Sequence, residues 1–369
     1  MVVDLSASGG SISPLPPSVE LETVPVLRAL AAANRALAEL KGRAASIPNQ
    51  AILIDTLALQ EAKASSAIEN IVTTQDELFQ VELFPQGPES GPAKEVARYR
   101  DALKLGLLQL QTTDGLIRNN TLIDMYRLLK GRTDGFRTTP GTALKNEATG
   151  EVIYVPPQDR QDIIAAMSGL ERFIHDDASC VLDPLIKMAL IHHQFESIHP
   201  FSDGNGRIGR ILNVLYLTRT GLLEIPILYL SRQINQSKAE YYRRLQAVRD
   251  CQDWESWVLY MLKAVELTSQ TTLALVEGIR EQMADMKQRM RSQLPKLYSQ
   301  DLLNNLFRHP YTRIQFVMND LGTTRQTAAD HLDQLVAHGF LEKHKTGRSN
   351  YYINTALVAL FLQVSDGPS

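Results

Sequence analysis

The sequence predicts a mostly α-helical protein with one β-hairpin near its middle and a smaller helix-and-hairpin unit at its C-terminal end. Three observations carry that prediction. Apolar residues recur at three- and four-residue intervals over most of the chain, the period of amphipathic helices. Between Gly141 and Pro157, Thr142-Ala143-Leu144 and Val152-Ile153-Tyr154-Val155 flank the polar stretch Asn146 to Gly150, the pattern of a hairpin. After Leu294-Pro295 the spacing shortens into brief helices followed by a second hairpin.

In chain order, the residues up to about Pro17 are rich in Ser, Gly and Pro and read as a frayed end. From Val24 to Asn70 the spacing of Leu27, Leu30, Ala31, Ile52, Leu53 and Leu57 predicts helix. Phe84 to Pro92 holds three prolines and two glycines and reads as a loop. Helical spacing resumes through Leu110 and again from Thr121 to Leu129. Beyond the hairpin it returns over Asp162–Ile174, Pro184–Phe195, Arg207–Arg219 and Tyr241–Arg249, and Leu259 to Arg291 forms one or two long connecting helices. Thr323 to Leu335 has an N-cap candidate and apolar Ala328, Leu332 and Leu335, and it leads through Gly339-Phe340-Leu341-Glu342 to Thr346-Gly347-Arg348 between short strands. This resembles a winged helix, with a recognition helix beginning near Thr324-Arg325-Gln326-Thr327 and a wing at Lys345 to Tyr352.

The bulk numbers exclude several classes of function. A chain of 369 residues with 44% hydrophobic side chains is long enough for two or three domains. A net charge of -3 gives no global positive field to draw the molecule onto nucleic acid or an anionic membrane. The two cysteines, Cys180 and Cys251, lie far apart, which supports neither a disulfide framework nor a zinc cluster and suits a reducing cytoplasm. No run approaches the roughly 18 apolar residues of a membrane span, and the N-terminus lacks the pattern of a secretory signal.

The richest stretch is Ile198-His199-Pro200-Phe201-Ser202-Asp203-Gly204-Asn205-Gly206-Arg207-Ile208-Gly209-Arg210. It reads physically as a phosphate site. Gly204 and Gly206 free the backbone to approach a ligand, and a helix starting near Asn205 aims unpaired N–H groups and a positive dipole end at an anion. Arg207 and Arg210, three apart, can face the same side and offer forked donors to phosphate oxygens. Asp203 stands where a hard cation such as Mg²⁺ bridges phosphates. His199, with an ordinary pKa of about 6.5, is suited to take a proton from an incoming hydroxyl. His192 and His193 are adjacent on one helix and point in different directions, so they do not join His199 as metal ligands.

This stretch resembles the H-P-F-x-[DE]-G-N-G-R-x-x-R signature of Fic domains, with every specified position present. The resemblance covers roughly Leu116 to Leu262 as a catalytic core, and the helical N-terminal part is similar to the segment that accompanies such cores. It implies a Fic-type helical bundle carrying the hairpin as a flap, and an activity that transfers AMP from Mg-ATP to a Ser, Thr or Tyr hydroxyl of a target protein. It further implies His199 as general base, Asp203 as the Mg²⁺ ligand and the Gly204-Asn205-Gly206 backbone as the phosphate cradle. Arg207 and Arg210 then bind the polyphosphate, with Ile208 and Gly209 between them in the ATP-binding segment. By the same resemblance, Ile153 and Tyr154 of the flap clamp the target or nucleotide by strand addition, and Tyr241 and Tyr242 lie near adenine and ribose. Both pairs also suit plain packing.

Upstream, Ser65-Ser66-Ala67-Ile68-Glu69-Asn70 resembles the [ST]-x-x-x-E-[GN] inhibitory motif of the family. The resemblance implies that Ser65, Glu69 and Asn70 end a helix that presents Glu69 to Arg210. A carboxylate there occupies the donors meant for the γ-phosphate, leaving ATP in an unproductive pose. The domains then run 1–115 (N-terminal helical region), 116–270 (core), 271–295 (helical linker) and 296–369 (winged helix). A homodimer is compatible with the family.

Other functions fit parts of the same sequence. The winged helix suits a DNA or protein partner, with Arg325 and Gln326 in a groove and Lys343, Lys345 and Arg348 on phosphates. Asp320, Asp330, Asp333 and Glu342 interleave with those bases and nearly balance them. The chain also reads as a transcriptional regulator with a nucleotide-sensing core, as a transferase of UMP, phosphate or phosphocholine, or as an enzyme of AMP removal in which Glu69 positions water.

Overall fold

The computed structural model describes residues 12–83, 91–145, 149–178, 180–346 and 349–365. Thr23 caps the first helix, α1 (Val24–Ala44), by accepting from the Val26 N–H, and Pro25 sits in the opening turn where no donor is lost. There follow α2 (Ala51–Ile68), α3 (Gln75–Leu83), α4 (Gly91–Thr112) and α5 (Asn119–Lys130). The expected hairpin is present as β1 (Leu144–Lys145) and β2 (Val152–Tyr154), antiparallel with an irregular register. The middle of the chain continues as α6 (Arg160–His175), α7 (Pro184–Ile198), α8 (Asn205–Arg219), α9 (Ser231–Gln236) and α10 (Lys238–Cys251). A single helix of 40 residues, α11 (Trp254–Gln293), runs through the stretch expected to hold one or two, so residues 271–293 continue the helix that begins at Trp254. Among the described residues no helix is long and apolar enough to cross a membrane.

Four readings fall wholly or partly outside the described residues: the frayed first residues to position 11, positions 84–90 of the expected loop, the hairpin tip at 146–148, and Gly347-Arg348 of the wing. Gly91 and Pro92, read as loop, instead open α4, where a proline in the first turn is tolerated.

Helix α7 is buried along nearly its whole length, which is why its sequence carries hardly any polar face. It packs on α6, α8 and α11, while α1 lies along α11 and α4 against α2, α5 and α8. Gly106 permits the last approach: a Cβ there would meet Met125 Sδ at 2.5 Å and Leu215 Cδ1 at 2.8 Å.

The C-terminal part consists of α12 (Gln300–Arg308), β3 (Tyr311–Thr312), α13 (Ile314–Leu321), α14 (Arg325–Ala337), β4 (Glu342–Thr346), β5 (Ser349–Ile353) and α15 (Thr355–Ser365). Thr324 caps α14 through the Thr327 N–H. The hairpin gains a third strand, giving the antiparallel order β3-β5-β4, because two residues suffice for β3 to pair with β5 and are too few for a periodic signal. Of the groups considered for nucleic acid, Lys343 is held by Asp333 at 2.7 Å and Gln326 by Asp330 at 2.9 Å. This part is bolted to α2. Asp55 accepts from Lys104 of α4 and from Arg308 of α12 at 2.5 Å, and burial of its carboxylate is outweighed by those two cations, which hold its pKa below the usual range. Phe79 and Tyr311 stack 4.7 Å apart, and Arg313 donates to the Leu83 carbonyl.

Two side chains fix the turn between α7 and α8. The Asn205 amide donates to the Phe201 carbonyl and accepts from its N–H, both at 2.8 Å. Arg137, 6% exposed, donates to the carbonyls of His199 (2.9 Å), Pro157 and Ile198 (3.5 Å), tying the turn to the end of the hairpin. Replacing Arg137 with Met strands those carbonyls in a water-poor site. We expect Arg137→Met to lower the free energy of unfolding by about 2–4 kcal/mol in urea titrations; a loss under about 0.5 kcal/mol, the scatter of ordinary surface substitutions, would remove this role.

Candidate active site

The site is built at the N-terminus of α8. Gly204 takes the left-handed conformation, φ 77°, which a side chain disfavours and which starts the helix abruptly after Asp203. The N–H groups of Asn205, Gly206 and Arg207 then have no carbonyl of their own helix to meet and face outward with the positive end of the dipole. Asn205 contributes through this backbone, since its side chain is spent on Phe201. Ile208 and Gly209 are buried against α7 and serve as packing: a Cβ on Gly209 would meet Glu196 Oε1 at 2.6 Å.

His199 ends α7, also left-handed at φ 49°. Burial of the ring, with the guanidinium groups of Arg137 and Arg249 nearby, pulls its pKa down to about 4, so it is neutral at pH 7. Its Nδ1 has no protein hydrogen-bond partner. A neutral imidazole can accept a proton.

Asp203 lies beside the helix start with its carboxylate accepting from the Gly204 N–H at 2.6 Å. Partial burial works against its charge, yet Lys130 at 2.7 Å and Arg207 at 3.7 Å outweigh it and hold the pKa below the usual carboxylate range. Glu95 of α4 completes this charge cluster, meeting both Lys130 and Arg207 at 2.6 Å. The sequence reading missed Glu95, Lys130, Arg137 and Arg249. Glu95 lies 112 positions from Arg207, so no local spacing announces it.

Arg210 points into the protein, 2% exposed, and meets the end of α2. Its Nε donates to Ser65 Oγ at 2.8 Å, and Nη2 donates to the Ser65 carbonyl and to Glu69 Oε1, both at 3.0 Å. Burial opposes its charge, and the Glu69 carboxylate more than restores it, so the pKa lies above the ordinary arginine value. The local reason is a helix terminus. Asn70 is left-handed at φ 59°, its N–H reaches the Ala67 carbonyl, and the Ile71 N–H reaches that of Ser66. This is a Schellman closure, in which Gly or Asn is favoured. It leaves Glu69 as the cap residue, one turn beyond Ser65 on the same face. Gly206 gives the pair room, because a Cβ there would run into Glu69 Oε1 and Arg210.

Around this centre, Glu196 is buried beneath α8, and that burial pushes its pKa up to about 7 despite Arg210. Tyr154 donates to the Ser197 carbonyl at 3.1 Å and lies under the Arg249 guanidinium, whereas Ile153 on the same strand is 45% exposed. The hairpin thus turns one residue inward and the other outward. Tyr241 is buried, bonded to His192 Nε2 at 2.9 Å and ringed by Trp257 and Tyr260. Tyr242 is exposed beside it. Only Tyr242 of the two has a surface to offer a ligand.

Three segments match known families: residues 27–108 the Fic/DOC family N-terminal region, 116–217 the Fic/DOC family, and 282–357 the C-terminal domain of SoFic-like protein adenylyltransferase. The chain is 27% identical over 154 residues to protein adenylyltransferase fic-1 of Caenorhabditis elegans, covering 40% of this chain and 27% of that protein. It is 28% identical over 162 residues to protein adenylyltransferase Fic of Drosophila melanogaster, covering 44% and 31%. The chain therefore spans about a quarter to a third of the curated relatives it matches. In fold it is similar to a Fic family protein of Desulfovibrio desulfuricans, with TM-score 0.56, 19% identity, and coverage of 93% of this chain and 98% of the other. It is also similar in fold to residues 134–508 of Fic-1 from C. elegans, with TM-score 0.54, 20% identity, and coverage of 68% and 74%. The chain carries a Fic/DOC domain, preceded by the N-terminal region of that family and followed by a SoFic-like C-terminal domain.

Proposed function

We propose that this chain is a protein adenylyltransferase held in check by its own α2. The target hydroxyl attacks the α-phosphorus of ATP; the new O–P bond forms as the bond to pyrophosphate breaks, and the hydroxyl proton passes to neutral His199. The first turn of α8 holds phosphate oxygens through its N–H groups, helped by Arg207. Ile153, at the exposed face of the hairpin, pins the target segment by strand addition. Asp203 offers one half-exposed carboxylate, and among the described residues no group of three His, Cys, Asp or Glu could hold a metal ion. That donor set suits Mg²⁺ carried in by nucleotide phosphates better than a protein cage. When bound, the ion neutralises phosphate charge. Lys130, now on Asp203, must give up that contact. We read the C-terminal part as a winged helix that recruits a partner, with Lys343 already paired with Asp333.

The observation that carries the proposal is the Arg210–Glu69 contact. The donors suited to a terminal phosphate are spent on a carboxylate and on Ser65. ATP placed against α8 then lacks its outermost anchor, and a misplaced leaving group slows in-line transfer.

Two outcomes follow. With ATP labelled at the α-phosphate, Glu69→Gly should incorporate label into protein on the order of tenfold more than wild type, and adding His199→Ala should lower that incorporation about a hundredfold. Silence from Glu69→Gly would sink the transfer reading. The pH dependence supplies an independent check. Glu69 raises the His199 pKa by its negative charge, so removing it leaves that pKa at or below about 4. The kcat/KM of Glu69→Gly should be flat from about pH 6 to 8 and fall only in acid; an acid limb centred near pH 6.5, the ordinary histidine value, would contradict the geometry.

A further inference from the structure

We propose that Lys130 stands in for a metal ion at Asp203 until a nucleotide arrives, and that Glu95 is the seat Lys130 then keeps. The two are positioning residues that set how strongly nucleotide binding depends on Mg²⁺. The proposal rests on the reading of Asp203 as the carboxylate that meets nucleotide-borne Mg²⁺; it needs neither the inhibitory reading of Glu69 nor the transfer step.

Lys130 reaches this place as the last residue of α5. Gly131 after it is left-handed at φ 62°, and its N–H closes the helix on the Arg127 carbonyl. A cation in the last turn also suits the negative end of the helix dipole. The side chain then crosses the start of α8: a Cβ on Gly204 would meet Lys130 Cδ at 3.6 Å and Arg207 Nη2 at 3.5 Å. The lysine stem therefore lies over the glycine that opens the phosphate cradle, and its charge is held at the mouth of that cradle.

Its Nζ meets two carboxylates at once, Asp203 Oδ2 at 2.7 Å and Glu95 Oε1 at 2.6 Å. The two are not equivalent. The Asp203 side chain is 59% exposed, whereas that of Glu95 is 24% exposed and also receives Arg207 Nη1 at 2.6 Å. Asp203 is thus the carboxylate open to an incoming ion, and Glu95 is the one the protein keeps for itself. An ammonium carries several donors, so Lys130 can lose Asp203 and hold Glu95 without leaving its place. With the Glu95 charge removed, Lys130 leans on Asp203 alone among the described carboxylates.

The consequence is a competition between two cations for one carboxylate. Before an ion is present, the ammonium neutralises Asp203 and spares an incoming phosphate the repulsion of a bare carboxylate. Once an ion is carried in, the same ammonium has to be displaced, and Glu95 lets it stay paired. Lys130 therefore strengthens nucleotide binding without metal and reduces what metal adds, while Glu95 eases the exchange.

The test is calorimetric titration of the full chain with ADP, once in excess Mg²⁺ and once in EDTA. ADP has no γ-phosphate, so the Arg210–Glu69 contact does not enter, and complexation of Mg²⁺ by free ADP is common to all variants. The quantity to read is the Mg²⁺ gain, the ratio of the ADP Kd in EDTA to that in Mg²⁺. Lys130→Met should raise the gain about fivefold over wild type, the upper worth of a part-exposed ion pair, and Glu95→Gln should lower it by a similar factor. Lys130→Gln repeats the first arm with a different side chain. The double variant, Lys130→Met with Glu95→Gln, should keep the gain of Lys130→Met alone, because Glu95 acts on the metal only through Lys130. A purely structural role would move both affinities together and leave the gain at its wild-type value. An unchanged gain in the lysine variants or in Glu95→Gln, or a double variant in which the two single effects add, would overturn the proposal. A gain of one in every chain, wild type included, would overturn it together with the reading of Asp203. The predicted gains with no label transferred by Glu69→Gly would instead sink the transfer reading and leave this proposal standing.

Discussion

Arg210 holds a full positive charge where water hardly reaches it, and the rest of the site is arranged around that constraint. A buried guanidinium must be surrounded by acceptors or it becomes a large liability. In the arrangement described here those acceptors come from the end of α2: the Ser65 hydroxyl, the Ser65 carbonyl and the Glu69 carboxylate. A terminal phosphate is the other anion with the right charge and oxygen spacing. The proposed regulation is therefore a competition between two anions for one fork, and either occupant satisfies the same electrostatic demand.

What moves α2 decides that competition, and α2 is tied to the rest of the molecule at several points. Asp55, nearer its N-terminal end, is gripped by Lys104 of α4 and Arg308 of α12, so the C-terminal part holds the very helix that carries Glu69. A partner bound to the C-terminal part would thus act on the helix that carries Glu69. This is the physical content of coupling between distant sites.

The chemistry of α8 is legible in the sequence because every part of it is local. Glycines that free a backbone, an aspartate before them and arginines three apart occupy one short run, and the fold sets that run at the start of α8, with Arg207 turned to Glu95 and Arg210 to Glu69. The Glu69–Arg210 pairing is legible only through resemblance to a family, since nothing local in Ser65 to Asn70 names a partner 141 positions away. Its local half has a physical basis in the left-handed Asn70 that closes the helix. The supporting residues are less visible still. Glu95, Lys130, Arg137 and Arg249 are single charged residues in ordinary helical or loop contexts, and only folding shows that they converge. For Tyr241 the sequence left a ligand contact and plain packing both open, and the fold buries the ring with its hydroxyl on His192. The two-residue β3 and the six-residue α9 are too short for a periodic signal.

The most direct measurement is a pair of crystal structures, wild type and Glu69→Gly, each with Mg²⁺ and α,β-methylene-ATP. The quantity to read is the distance from the Arg210 guanidinium to the γ-phosphate. The account predicts that in wild type Arg210 stays on Glu69 with the γ-phosphate out of hydrogen-bond reach, and that in Glu69→Gly the phosphate takes the carboxylate's place. A wild-type complex with Arg210 bonded to the γ-phosphate while Glu69 keeps its present position would contradict it.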